Sequence, residues 1–565
     1  LFLRSMNQKT LIGFILIGAI LLFWPTYLDI ISPKPQQTED LSPPEEVAIE
    51  TKTNQPVTPY VEKEVNSNIS QQRIFTVETP LFTAGVSNKN GGSLDSFLVT
   101  KHLKKEEETL NLIDGENKNN LLVSYINQFG EEVFLNGFWA EQNLTESNAV
   151  VSSENSSVVL SAENPTITLS YFLTTGDNKT INKDLTFSYD SYEVVVNTNL
   201  RELKGDILDG NFRLDWVGGL PLTEPSQDGM FLEGLVGQGG DIESYRAGST
   251  GIFGSSSETI ERSSKQYTGA ADFAGYRTKY FGVFFVPQKT GFVELAKYSS
   301  GGRVAVDIVT SQSINFEKTI LFFGPLEYGE ISGLGVGIEE KILGWQWLSS
   351  VSWLVYSIMI FMYGLIPNYG VVVVLFAVLI KTVTYPLMAK QLRSSKKMQE
   401  INPLLSKIKI KYKSNPTLQQ QKIAALFQEN KINPLAGCLP MLIQMPILMS
   451  VFMVFRNTIE FRGESFVFWI KDLSAADTLF FVGEIPFNVL PFLMSASMYY
   501  TMQAGMSNQP SGGDPAQEAT QKMMKYMFPG MMFFLFYSFP SGLNLYYLCF
   551  NIMQIAQQKM INKEA

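Results

Sequence analysis

One lysine stands where a lysine is costly. Lys381 lies in a run in which Val371–Phe376, Val378–Ile380 and Val383 are all Val, Leu, Ile or Phe. Those side chains contribute about 3–6 kcal/mol of insertion free energy at roughly 0.3–0.6 kcal/mol each. A mid-span lysine costs roughly 2.5–3.5 kcal/mol on the same scale. Such a helix inserts, but one charge cancels about half its margin or more. Lys381 is about 12 residues from Tyr369, or roughly 18 Å along a helix axis. In a hydrocarbon core of about 30 Å that is just past the middle. Two readings stand on the residues alone. Either the amine snorkels to an inner interface marked by Tyr385-Pro386, or it faces a water-filled cavity open to the cytoplasm.

Other polar residues fall in candidate spans: Gln444, Asn488, Gln503, Asn544 and Asn551. Each needs a partner or water at that depth. Interhelical hydrogen bonding accounts for any one of them. Taken with Lys381, the set points to a hydrated groove. Beyond the lysine, residues 390–431 carry ten Lys/Arg, opposed only by Glu400 and Glu429. Leu392, Met398, Leu405, Ile408 and Ile410 give a partly helical pattern, expected to break near Asn402-Pro403; Asn415-Pro416 marks a turn; Leu418, Ile423, Leu426 and Phe427 start a second helix. A helical hairpin is expected, its cationic face formed by Lys396, Lys397, Lys407, Lys409, Lys411 and Lys413. That face suits anionic lipid headgroups, ribosomal RNA or a nascent chain, although a charge run is more often only solvated.

Several chemistries are excluded. There is no GxxxxGK[ST] phosphate loop, so nucleotide hydrolysis is not expected. The lone histidine, His102, has no Ser/Asp set to join and is read as a solvated residue beside Lys101, Lys104 and Lys105. Cys438 and Cys549 both sit in apolar runs and no Cys/His cluster exists, so neither a disulfide nor a metal site is expected. No cofactor is implied, and the chain is not read as an enzyme. The net charge of −10 argues against a DNA partner.

The elements that position these residues follow from a shift in composition. Residues 6–28, with Lys9 before the apolar run Leu11–Trp24, read as an uncleaved N-terminal transmembrane anchor, with Met6 as the natural start. Residues 29–70 are Pro/Glu/Thr/Gln-rich and read as a disordered tether. Residues 71–335 show short runs of period-two alternation: Arg73–Glu78, Leu121–Ile126, Thr166–Phe172, Tyr192–Asn197 and Phe281–Val286. Asn90-Gly91-Gly92, Thr175-Gly176-Asp177 and Ser300-Gly301-Gly302 punctuate them, the signature of an all-β sandwich. Apolar segments follow at Trp347–Ile366, Tyr369–Met388, Leu439–Phe455, Pro486–Gln503, Met524–Phe539 and Gly542–Gln557. The positive-inside rule puts 390–431 in the cytoplasm and the β-domain outside, so only one of the first two segments can cross. Residues 343–366, with Ser349, Ser350, Ser352 and Ser357 and flanking tryptophans, read as an interfacial amphipathic helix. The result is a polytopic α-helical membrane domain of six transmembrane helices, both termini cytoplasmic.

The ordered motifs resemble a known family. Asn433-Pro434-Leu435-Ala436-Gly437-Cys438-Leu439-Pro440 with Gln444 and Pro446, Lys381 with Tyr385-Pro386-Leu387, Phe468-Trp469-Ile470-Lys471-Asp472-Leu473-Ser474 and Phe539-Pro540-Ser541-Gly542-Leu543-Asn544 resemble the membrane region of YidC/Oxa/Alb insertases. The resemblance implies a five-helix insertase core over 367–562, the cytoplasmic hairpin 390–431 and a periplasmic β-supersandwich similar to sugar-binding folds. It implies a groove cation that is usually arginine, here Lys381. The implied activity is insertion and folding of nascent inner-membrane proteins, alone or with the Sec translocon. Transient ribosome contact through the hairpin and C-terminus, and membrane lipids, complete the expected partners. The client's apolar segment is then expected to slide past Met445, Phe452, Phe533, Tyr546 and Tyr547. Two rivals are a solute transporter, which calls for repeat symmetry not visible here, and a carbohydrate-binding module on a passive anchor.

Overall fold

The computed structural model describes residues 61–62, 71–104, 107, 109–141, 156–247, 261–288, 290–300, 303–315, 318–344, 346–412, 414–430, 439–483, 485–506 and 523–564. The expected anchor, most of the tether and Gly301-Gly302 lie outside them. Val61–Glu62, expected in the tether, instead pairs in parallel with Val133–Phe134.

Alternation builds the β-domain. In Thr166–Thr174 the residues Ile167, Leu169, Tyr171 and Leu173 are buried, and the strand pairs in register with Thr180–Ser188. A nine-stranded sheet runs through Glu233–Gln238, Phe273–Arg277, Phe281–Pro287, Lys318–Pro325, Glu193–Asn199, Thr180–Ser188 and Thr166–Thr174. A seven-stranded sheet is centred on Leu122–Asn127, Ile207–Trp216, Arg303–Ser313 and Thr290–Ser300, and a five-stranded sheet on Ser93–Val99, Phe82–Ser87 and Ile74–Glu78. The three share one core: Trp216 meets Phe323 at 4.9 Å, Phe97 meets Phe323 at 4.6 Å and Phe82 meets Tyr192 at 6.0 Å between ring centroids.

Period two also drives a charge inward. Lys183 stands opposite Tyr171 and is fully buried. Its ammonium donates to the carbonyls of Asn90 (3.1 Å) and Leu121 (2.5 Å), fixing the Asn90-Gly91-Gly92 turn. That turn needs its glycines: a Cβ on Gly91 would lie 2.6 Å from Trp139, one on Gly92 2.4 Å from Leu185, and both have positive φ. Burial pushes the Lys183 amine down from 10.5 to about 7. Between those values the unfolded chain holds one more proton than the folded one. Stability therefore falls as pH drops from 10.5 toward 7 and levels off below, with a slope of order 1.4 kcal/mol per pH unit. Lys183→Met is expected to flatten that slope in thermal unfolding followed from pH 7 to 10; an unchanged slope would contradict it.

Among the described residues, seven helices of nine residues or more form the second region: α1 (Ser349–Leu365), α2 (Tyr369–Lys411), α3 (Pro416–Glu429), α4 (Leu439–Asn457), α5 (Leu490–Met506), α6 (Phe528–Phe536) and α7 (Ser541–Glu564). α7 packs on α5 and α2, and α1 on α4. Among the described residues one stretch, Tyr369–Pro386, has the length and hydropathy to cross a membrane; Ser349–Leu365 is apolar but shorter. α1 buries Ser352, Val355 and Met359 and leaves Trp353, Leu354, Phe361 and Leu365 exposed.

Two expectations are corrected. α2 runs straight through Asn402-Pro403, where a break was expected. Packing outweighs the lost N–H: Ile401, Leu405 and Ile408 bury against Leu426 and Phe427 of α3. The Asn415 side chain caps α3 by accepting from Leu418 N at 3.1 Å. The segment expected to start a span at Pro486 is instead a strand to Asn488, and α5 begins at Leu490.

The β-domain is seated on the helical region by a buried ionic joint. Arg462, just past α4, has a fully buried side chain. It donates to Glu224 (2.9 Å), to both oxygens of Glu107 (3.0 and 3.1 Å) and to the His102 carbonyl (2.5 Å). His102 is therefore not the solvated residue expected: its ring meets Glu327 at 2.7 Å and is largely buried. Asn457 donates to the Ile342 carbonyl at 3.1 Å, and Tyr356 of α1 donates to buried Glu460 at 2.6 Å.

Candidate functional site

The Lys381 side chain is fully buried and turned inward between α2 and α7. The amine donates to Gln554 Oε1, and it stands 3.3 Å from the centroid of the Phe550 ring. The Lys381 carbonyl accepts from Gln557 Nε2 at 3.3 Å. No carboxylate partners the amine among the described residues. Snorkelling is thus not the geometry adopted: the ammonium is held by a neutral amide and an aromatic face.

A polar layer continues from it. Asn551, one turn before Gln554 on α7, donates to Ser497 Oγ of α5 at 3.2 Å, and Thr501 of α5 reaches the Asn551 carbonyl at 3.5 Å. Among the described residues, Gln557 Oε1 and Gln558 Oε1 of α7 are buried without a hydrogen-bond partner, as are Ser450 Oγ of α4 and Ser495 Oγ of α5 on the other helices. Gln444 is half-buried on α4, its side chain beside the Tyr546 hydroxyl. Gln503 is exposed on α5.

Two of the expected groove residues lie elsewhere. Asn488 donates to the Tyr537 carbonyl at 2.6 Å and accepts from Thr478 Oγ1 at 2.7 Å, before α5 begins. Asn544 donates to the Phe536 carbonyl at 3.2 Å, closing the α6–α7 turn. Both amides serve local backbone and neither joins Lys381.

Of the apolar residues, Met445 is exposed on α4. Phe452 is half-buried against Phe539 at 5.2 Å, Phe533 against Phe492 at 4.5 Å, and Tyr547 against Phe536 at 5.0 Å. Tyr546 is fully buried, with Phe376 at 6.1 Å, and presents no open surface. In the α2–α3 hairpin Lys397, Lys407, Lys409 and Lys411 are exposed. The Lys396 side chain and Lys413 lie outside the described residues.

Sequence reasoning missed Gln554, Gln557, Phe550 and Ser497. A signal was available: Asn551, Gln554, Gln557 and Gln558 recur at helical spacing along one stripe of the apolar run that begins at Leu545.

Residues 74–354 match the family described as YidC periplasmic domain, and residues 361–565 the family described as 60Kd inner membrane protein. The chain is 30% identical over 586 residues to "Membrane protein insertase YidC" of Prosthecochloris aestuarii, covering 99% of this chain and 95% of that one. It is 30% identical over 594 residues to the protein of the same name from Chloroherpeton thalassium (99% and 96% covered), and 29% over 592 residues to that from Chlorobaculum parvum (99% and 94%). Nearly the whole length, β-domain and helical region together, is shared with proteins of one name, and the chain belongs to the YidC family of inner-membrane protein insertases.

Proposed function

We propose that this chain moves nascent transmembrane segments into the inner membrane through a wet hollow around Lys381, with the β-domain outside and both termini in the cytoplasm. One observation carries the reading. The Lys381 amine is walled between α2 and α7 and, among the described residues, has only Gln554 as polar partner, while the side-chain oxygens of Gln557 and Gln558 on α7 are buried without one. In dry hydrocarbon each such group costs several kcal/mol. In a hollow that admits cytoplasmic water the cost vanishes. The six-span topology rests on the basic hairpin and the acidic loop holding Glu460, Glu464, Asp472, Asp477 and Glu484.

In this mechanism the client's polar flank rests near Lys381, Gln444 and Asn551. Its apolar segment moves along the exposed side of α4 and α6, past Met445 and Phe533. The hollow shortens the hydrocarbon path for the flank. Transfer of the apolar segment supplies about 0.3–0.6 kcal/mol per Leu, Ile, Val or Phe. Ten such residues provide about 3–6 kcal/mol, and no nucleotide or cofactor is required. The exposed lysines of the α2–α3 hairpin suit ribosomal RNA or anionic headgroups, and cooperation with the Sec translocon is part of the same proposal.

The test is site-specific photo-crosslinking to a ribosome-bound client. Probes at Met445 and Phe533 are expected to capture the client's apolar segment, whereas a probe at Phe129, exposed on the β-domain, is not. Capture from neither helix, or from Phe129 alone, would overturn the reading.

A further inference from the structure

Between α4 and α5 the chain makes a small ribbon that the insertion mechanism does not use. Thr478–Val482 pairs antiparallel with Ile485–Asn488. Leu479 (51% exposed), Phe480 (48%), Phe481 (67%), Val482 (62%) and Ile485 (66%) project from both of its faces. A lone two-stranded ribbon is marginal in water, and contiguous exposed apolar surface marks a contact site. The segment 478–488 holds one ionisable residue, Glu484.

The base is rigid. Asp477 Oδ2 accepts from Val489 N (3.0 Å), Leu490 N (2.6 Å) and Trp469 Nε1 (2.9 Å), which fixes the start of α5. Thr478 and Tyr537 each bond Asn488, and the Tyr537 hydroxyl donates to the Pro486 carbonyl. A ladder of rings, Phe480–Phe487 (4.8 Å), Phe487–Phe492 (5.4 Å) and Phe492–Phe533 (4.5 Å), joins the ribbon to α5 and α6. The apolar side chains are thus held out by a built scaffold.

We propose that this ribbon is a lipid-binding paddle resting in the outer leaflet. Its ring contacts run through Phe487, Phe492, Phe533 and Phe534 to α5 and α6, where Phe492, Leu493 and Phe534 are exposed, the side that meets acyl chains in a membrane-embedded core. Two-stranded edges leave backbone groups unpaired, which hydrocarbon forbids and the headgroup layer satisfies. Aromatic side chains favour that depth. The paddle lies flat at the glycerol level, with Phe481 and Ile485 reaching the upper acyl chain, and it sets how far α5 and α6 sit in the bilayer. The proposal rests on the topology given under Proposed function.

The experiment places the photo-crosslinker p-benzoylphenylalanine at position 481, and separately at 493 on α5, in the full chain reconstituted into phosphatidylcholine/phosphatidylglycerol vesicles. Irradiation followed by mass spectrometry reads the adducts. Lipid adducts are expected at 481 in a yield comparable to 493. Lipid at 493 with no adduct at 481, or with only peptide adducts from this chain, a second copy or a client, would overturn the paddle and leave the topology standing. Lipid at neither position would overturn the topology itself.

Discussion

Lys381→Ala is expected to slow insertion of a single-span client with a short acidic tail by roughly ten- to a hundredfold, while Lys381→Arg retains most of the activity. The size follows from hydrogen bonds to charged groups, worth about 1.5–3 kcal/mol. An arginine reaches the same Gln554 amide with a positive charge, so the sign survives the exchange. A client with a neutral tail isolates the electrostatic part, because the alanine chain should handle it nearly as well as the wild type. Complementation of a depleted strain, with pulse-labelled insertion as the readout, measures all three. If alanine inserts the acidic-tailed client at the wild-type rate, the charge has no role. Equal thermal stability of the purified variants separates insertion from folding, since Lys381 also packs on Phe550 at 3.3 Å.

The second large effect lies at the joint between the domains. Arg462→Met removes the cation that Glu224 and Glu107 share; Glu224 keeps Lys104 at 2.7 Å, whereas Glu107 loses both of its hydrogen bonds from the guanidinium. Breaking a buried ion pair by deleting one partner costs about 3–5 kcal/mol, and Lys104 beside Glu224 with the partial exposure of Glu107 places this joint at the low end of that range. The β-domain is then expected to loosen from the helices, read as faster protease cleavage near Leu103 and as an earlier unfolding transition. Adding Glu107→Gln should recover part of the loss, because the carboxylate charge left without Arg462 is gone; the recovery is the coupling. Equal loss in the single and double variants would contradict the account. The joint also has a pH signature. Burial works to raise the Glu107 carboxyl, but hydrogen bonds and charge from Arg462 outweigh it and hold the group below its ordinary 4.5. Its contribution is present above pH 4.5 and is lost as pH falls through the lowered value.

Much of this architecture was legible in the residues. Ile167, Leu169, Tyr171 and Leu173 announce a half-buried strand, and the same period sends Lys183 into the core. Lys381 stands out because its cost can be set against the neighbours' gain. The proposed topology rests on the ten cations of residues 390–431. What stayed hidden depends on contacts far along the chain. His102 sits among lysines in sequence but meets Glu327, 225 residues away. Arg462 reads as an ordinary loop cation, and Glu224 is 238 residues from it. Asn488 and Asn544 have the same chemistry as Asn551, yet they bond backbone carbonyls at helix ends, which composition cannot distinguish from a groove. Asn402-Pro403 carries a local signal for a break that the Ile401–Leu426 contact overrides.

The hollow proposed around Lys381 is wet from the cytoplasm and closed to the outside. Lys381→Cys, in a chain whose Cys438 and Cys549 are replaced by serine, can be probed with a membrane-impermeant thiol reagent added to inverted vesicles or to intact spheroplasts. Reaction in inverted vesicles and none in spheroplasts is the predicted result. Reaction from the spheroplast exterior, or from neither side, would contradict it.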